Sequence, residues 1–169
     1  MRKSSFVIKV AALLIAQILV WNFCNFSPLV TLTFLPVIIM SLPVREDGLL
    51  SMLIALALGF AADFFAGGML GLTSFALVPV AFFKKTIMRL AFGSEMVERE
   101  EDSSVRKNGF GRIVLSAALA TALFLLLYIW ADGAGTRPFS FNLLRFVISL
   151  TASVAVSALV AAILDPEDR

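Results

Sequence analysis

Residues Gly59–Leu72 read GFAADFFAGGMLGL. One carboxylate, Asp63, stands among aliphatic and aromatic neighbours, and glycines follow at Gly67, Gly68 and Gly71. An aspartate at the centre of a bilayer costs roughly 2.5–3.5 kcal/mol on insertion scales. Glycines end helices or let two backbones touch. A stretch that holds both inside a long apolar region marks either a turn or a site, and its surroundings decide which.

Those surroundings are lipid-like. Of the 169 residues, 60% are hydrophobic and 15% are charged, against about 45–50% and about 25% in a soluble domain. Too few polar side chains are present to cover a globule of this size. Composition therefore predicts an all-α integral membrane protein, with a single transmembrane domain over residues 1–169. The apolar runs suit helices and lack the alternating pattern of an outer-membrane barrel.

Apolar runs occupy Phe6–Phe23, Pro28–Leu42, Leu49–Phe65, Met69–Phe83, Ile113–Trp130 and Phe141–Leu164. The first is expected to be retained. Met1-Arg2-Lys3 resembles the start of a signal peptide, but no small-x-small cleavage site follows, and Phe23 ahead of Cys24 rules out lipoprotein processing. Lys9 can snorkel to the near interface, and Trp21 and Asn22 mark the far one. Pro28–Leu42 is the weakest run. Pro36 at its middle predicts a short kinked helix or a re-entrant segment. Pro43–Gly48 (PVREDG) forms a polar turn, Pro79 kinks the fourth run, and Lys84-Lys85 stop it.

Six spans with both termini cytoplasmic put every Lys and Arg except Arg137 and Arg145 on the cytoplasmic side, as the positive-inside rule asks. Asp63 and the glycines then lie at the outer face. The polar segment Lys84–Arg112 becomes a cytoplasmic loop with basic flanks and an acidic centre, Glu95–Asp102. It is expected to be a solvated connector whose flanks attract membrane lipids with anionic headgroups.

Within a turn of a helix end, Asp63 is expected to accept hydrogen bonds from the following turn or a neighbouring helix. A proton or ion relay and a partner contact are the alternatives. Gly67-Gly68 predicts a helix stop and tight turn, and Gly71 predicts close packing of the fourth helix. Ser149, Ser153, Ser157 and Ala161 recur every four residues and form a ridge of small side chains, packed within the chain or against another protein.

Chemistry has few footholds. There is no histidine and a single cysteine, which removes the commonest general base, the commonest metal ligand and any intrachain disulfide. Serines and threonines lack an activating neighbour. No catalytic residue, metal site or cofactor site is expected, so the chain reads as a non-enzyme. Its basic residues are not interleaved with aromatics, which argues against a nucleic-acid partner.

The stretch Gly59-x-x-x-Asp63-x-x-x-Gly67-x-x-x-Gly71-Leu72, entering another apolar run, resembles the signature of the MreD family of bacterial rod shape-determining membrane proteins. Size, span number and the position of the stretch agree with that family over most of the chain. Family members often carry His-Ala after the Gly-Leu; Thr73-Ser74 stand there in this chain, so no role for that histidine carries over. The resemblance implies a non-enzymatic scaffold or regulatory subunit of the cell-elongation complex in the bacterial cytoplasmic (inner) membrane. It implies an MreC-like membrane partner and, through it, MreB-like filaments, a SEDS glycosyltransferase and a penicillin-binding transpeptidase. It also implies a helical layout similar to the substrate-binding subunits of energy-coupling-factor transporters. Short Pro- and Gly-interrupted helices keep a second class open, the substrate-binding subunit of a vitamin-type transporter.

Overall fold

Apolar runs without proline propagate as helices, and a proline ends or delays them. The computed structural model follows this rule at Pro36 and departs from it at Pro79; it describes residues 2–23, 30–42, 48–66, 69–93, 110–133 and 137–163. Among them every regular element is a helix: α1 (Arg2–Phe23), α2 (Leu35–Met40), α3 (Gly48–Ala66), α4 (Leu72–Phe82), α5 (Lys84–Phe92), α6 (Phe110–Asp132) and α7 (Phe139–Ile163). Gly48–Ala66, Gly111–Asp132 and Phe139–Ala161 are long and apolar enough to cross a membrane, and Ile8–Phe23 and Leu72–Phe82 are shorter apolar helices. The chain is a helical membrane protein.

Helix directions follow from a few contacts. Asn22 Nδ2 donates to Phe65 O at 3.3 Å, so the C-terminal ends of α1 and α3 lie side by side and the two run the same way. The chain between them has to return along the bundle, and residues 30–42 are the described part of that return. They are not one helix. Residues 30–33 are not helical and pair as a strand does, Phe34 turns the chain into the helix (φ −128°, ψ 10°), and only Leu35–Met40, with Pro36 in its first turn, is helical. The short α2 touches α1, α3, α4, α6 and α7. Phe34, Leu35, Ile38 and Ile39 are almost wholly buried, so the weakest run in the sequence is the centre of the fold.

An extended backbone in an apolar interior needs partners for its N–H and C=O groups, each worth several kcal/mol if left unpaired. Neighbouring side chains supply them on both edges. Along one edge, Thr31 N donates to Ser149 Oγ at 2.8 Å and Thr33 N to Ser153 Oγ at 3.0 Å, while Ser153 Oγ donates to Thr31 O at 3.3 Å. Along the other, Gln17 Nε2 donates to Leu32 O at 3.0 Å and Phe34 N donates to Gln17 Oε1 at 3.0 Å. Trp21 Nε1 adds a second donor to Leu32 O at 2.7 Å. Odd and even residues point to opposite edges, as in a β-strand. Serines of α7 and the amide of Gln17 stand in for the neighbouring strands.

The ridge of small residues therefore does more than admit a close neighbour. Ser149, Ser153 and Ser157 are all fully buried and Ala161 nearly so. Two of the hydroxyls hold the extended segment; Ser157 Oγ has no hydrogen-bond partner among the described residues.

The polar segment after α4 also differs from a plain solvated connector. Its first nine residues form α5, which lays Ile87, Met88 and Ala91 inward and leaves Lys85 and Arg89 exposed. Lys84 is buried, and its Nζ donates to Leu42 O at 2.6 Å. Helix α4 starts at Leu72 rather than Met69 and accommodates Pro79 without ending. The polar turn at 43–47, Cys24 and the acidic centre Glu95–Asp102 lie outside the described residues.

Ser153→Ala removes both bonds to the extended segment and is expected to lower stability by roughly 1–3 kcal/mol. Ser157→Ala is expected to leave it unchanged or raise it. Unfolding of the purified protein in a denaturing detergent, followed by tryptophan fluorescence, measures both. Equal effects would mean that the ridge acts through side-chain size alone.

Candidate functional site

Helices α3 and α4 form an antiparallel hairpin, and the stretch Gly59–Leu72 builds it. At Gly59 the two helices are in close backbone contact. A Cβ on Gly59 would sit 2.6 Å from both Cα and N of Ser74 and 2.8 Å from its Oγ, a distance no methyl group tolerates. Ser74 Oγ donates to Leu56 O at 3.1 Å one turn earlier on α3. Serine here costs little, because its hydroxyl finds an acceptor in the facing helix.

Asp63 is one helical turn further along α3 and is buried. Its Oδ2 accepts from Gly71 N at 2.9 Å and from Thr73 N at 3.0 Å, and its Oδ1 lies 3.3 Å from Thr73 N. These amides belong to the first turn of α4, where N–H groups have no partner inside their own helix. A carboxylate from α3 thus caps α4 and sits at the positive end of its dipole. Helix α4 has no cap from its own side chains. A chain that places glycine at the N-cap has to borrow an acceptor, and Asp63 is the group lent.

Gly71 is that N-cap residue, with φ of 91°, a left-handed conformation that favours glycine. Space around it is open, with nothing within 4 Å of an added Cβ. The expectation that Gly71 brings the helices together is therefore corrected. Gly59 provides the close approach, and Gly71 provides the turn: it is the third residue of Met69–Leu72, closed by Leu72 N donating to Met69 O at 3.1 Å, where a positive φ favours glycine. Gly67 and Gly68 lie outside the described residues.

A second polar cluster, not anticipated as a unit, ties the ends of α6 and α7 to the extended segment. Arg145 is buried. Its Nη1 bonds Asp132 Oδ2 at 2.5 Å, and its Nε and Nη2 donate to Thr31 Oγ1 at 3.2 and 2.9 Å. Arg137 reaches the same Asp132 oxygen at 3.3 Å and stands 5.7 Å over the Phe141 ring. The sequence held signals for this cluster: an acid and a base flanking one loop, and threonines at 31 and 33. Gln17 and Trp21, which hold the opposite edge of the segment, read in the sequence only as a polar residue in an apolar run and as an interface marker.

Among the described residues, no three His, Cys, Asp or Glu side chains converge on a point that could hold a metal ion. The ridge residues Ser149 and Ser153 face the chain's own segment 31–33, not a separate protein. No protein-family model, no curated protein and no solved structure matches this chain.

Gly59→Ala is expected to push α3 and α4 apart at a cost of roughly 1–3 kcal/mol. Asp63→Ala leaves the Gly71 and Thr73 amides without their acceptor, for a loss of similar size, whereas Asp63→Asn keeps an acceptor oxygen and most of the stability. Melting temperatures of the three purified variants decide this. If Asp63→Asn proves as damaging as Asp63→Ala, charge rather than hydrogen-bond acceptance is what the hairpin needs.

Proposed function

We propose that this chain is a non-enzymatic scaffold or regulatory subunit of the bacterial cell-elongation complex, of the MreD type, crossing the inner membrane six times with both termini in the cytoplasm. The observation that carries the proposal is the correspondence between the signature-like stretch and the hairpin it builds. Gly59, Asp63 and Gly71 each do a separate structural job at the spacing that the resemblance picked out. Such a hairpin fixes a rigid outer corner between two helices. It also leaves α3 with an unpaired apolar stripe of Leu49, Leu53, Leu56, Phe60 and Phe64, a face suited to lipid or to the spans of partner proteins.

Segment length supports six crossings. Four extended residues at about 3.3 Å and six helical ones at about 1.5 Å cover about 22 Å of the roughly 30 Å hydrocarbon core. A non-helical crossing is tolerable because side chains of α1 and α7 pair its main-chain groups. Lys84, at the far end of α4 from Asp63, then sits at the cytoplasmic interface beside Leu42.

Topology is checked with single cysteines in a Cys24→Ser background. Thr136→Cys should react with a membrane-impermeant thiol reagent in intact cells, and Ser4→Cys and Ser104→Cys only after permeabilisation. The opposite pattern, or labelling of Ser4 and Ser104 on different sides, defeats the six-span arrangement.

The scaffold role is checked by depletion and affinity purification. Rod-shaped cells should round up, and an MreC-like protein should co-purify. Normal shape after clean deletion, with no such partner recovered, would sink the proposal.

A further inference from the structure

Near their connecting loop, α6 and α7 together line an apolar cleft of about 600 Å3, within the roughly 300–1,000 Å3 of small-molecule sites. Leu126, Trp130, Leu143 and Phe146 form its walls, and Arg137 and Asn142 supply polar groups. Position, charge and an unused acceptor together say what fits.

The cleft lies where two spanning helices meet their connecting loop, the depth at which hydrocarbon gives way to headgroups. Trp130 is 76% exposed there, as tryptophan is at bilayer interfaces. The charge is unbalanced. Asp132 serves two guanidinium groups, Arg145 at 2.5 Å and Arg137 at 3.3 Å. Arg145 is buried and takes the shorter bond. Arg137 keeps 37% of its side chain exposed, so one positive charge remains at the cleft. Asn142 Oδ1 is buried without a hydrogen-bond partner among the described residues, an acceptor that suits a hydroxyl. A small aqueous anion would find almost no other polar group in the cleft. An amphiphile with a phosphate, a headgroup hydroxyl and a long apolar tail uses all three features.

We propose that the cleft between α6 and α7 holds one anionic phospholipid, its phosphate on Arg137, a headgroup hydroxyl on Asn142 and an acyl chain between Trp130, Leu143 and Phe146. The site is independent of the scaffold function. It would bind lipid whether or not the chain serves cell elongation.

Native mass spectrometry of the full chain in mild detergent tests this, with phosphatidylglycerol and phosphatidylcholine of identical acyl chains supplied in equal amounts. Phosphatidylglycerol should be retained about fivefold better, the preference expected of one basic residue at an anionic headgroup. Arg137→Gln should erase that preference. Leu143→Trp, at a half-exposed position that tolerates substitution, should fill the cleft and lower retention of both lipids. Excess inorganic phosphate should not displace the lipid. The proposal is overturned by equal retention of the two lipids, by a preference that survives Arg137→Gln, or by displacement with phosphate alone. It is equally overturned if the preference is lost in Lys85→Gln/Arg89→Gln instead, which would assign the lipid to α5, or if a partner protein's helix occupies the cleft in place of lipid.

Discussion

Main-chain amides and carbonyls cannot be left bare inside an apolar bundle, and residues 30–34 place a run of them there. The rest of the molecule is arranged around that constraint. Helix α7 brings Ser149 and Ser153 to one edge of the segment, and α1 brings Gln17 and Trp21 to the other. Arg145 fixes the entry at Thr31, and Lys84 takes the carbonyl of Leu42 at the exit. A continuous helix would have satisfied its own backbone. Once Pro36 has denied that solution to the residues before it, polar side chains on the surrounding helices become necessary at fixed heights. Four-residue spacing on α7 matches two residues of extended chain, about 6 Å in each case. The serines therefore register with alternate residues of the segment.

The α3–α4 hairpin meets the same constraint on a smaller scale. The first turn of α4 opens with a glycine that has no side chain to cap it, and the facing helix provides the carboxylate. Asp63 can only reach Gly71 and Thr73 if the helices lie close, and they lie close because Gly59 has no Cβ to hold Ser74 away. The two features are coupled. Widening the helix contact would lengthen the hydrogen bonds of the cap, and loss of the cap would loosen the first turn that Ser74 belongs to. A buried acid in a membrane helix is often a relay. In this hairpin its oxygens are engaged by main-chain amides, so its surroundings are those of a structural clasp.

The same logic separates the two arginines near the α6–α7 loop. Arg145 points inward and is satisfied by Asp132 and Thr31. Arg137 shares what remains of the same carboxylate and faces outward beside an apolar cleft. Two cations on one acid leave a local positive charge, and its placement next to exposed Trp130 gives that end of the pair an amphiphilic character absent from the α3 stripe.

The sequence by itself determined the class and much of the helix layout. In lipid only helices and closed barrels satisfy the backbone; the apolar runs lack a barrel's alternation, and those such as Gly48–Ala66 and Phe139–Ala161 announce themselves as helices by length. It also singled out Gly59, Asp63 and Gly71, because glycine and a lone acid are conspicuous in an apolar background. Their division of labour was not legible, since a glycine that admits a neighbour and a glycine that adopts a positive φ look identical as letters. Nor was the meaning of the serine ridge, which fits helix packing as well as it fits hydrogen bonding. Only the tertiary structure decided that residues 30–34 run as a non-helical segment at the centre of the bundle, and that Gln17, Ser149, Ser153 and Arg145 converge on it from positions 15 to 122 residues away in the chain. Hydrogen bonds between distant residues leave no periodicity in a sequence; they exist because the folded backbone needs partners and the surrounding helices hold them at the right height.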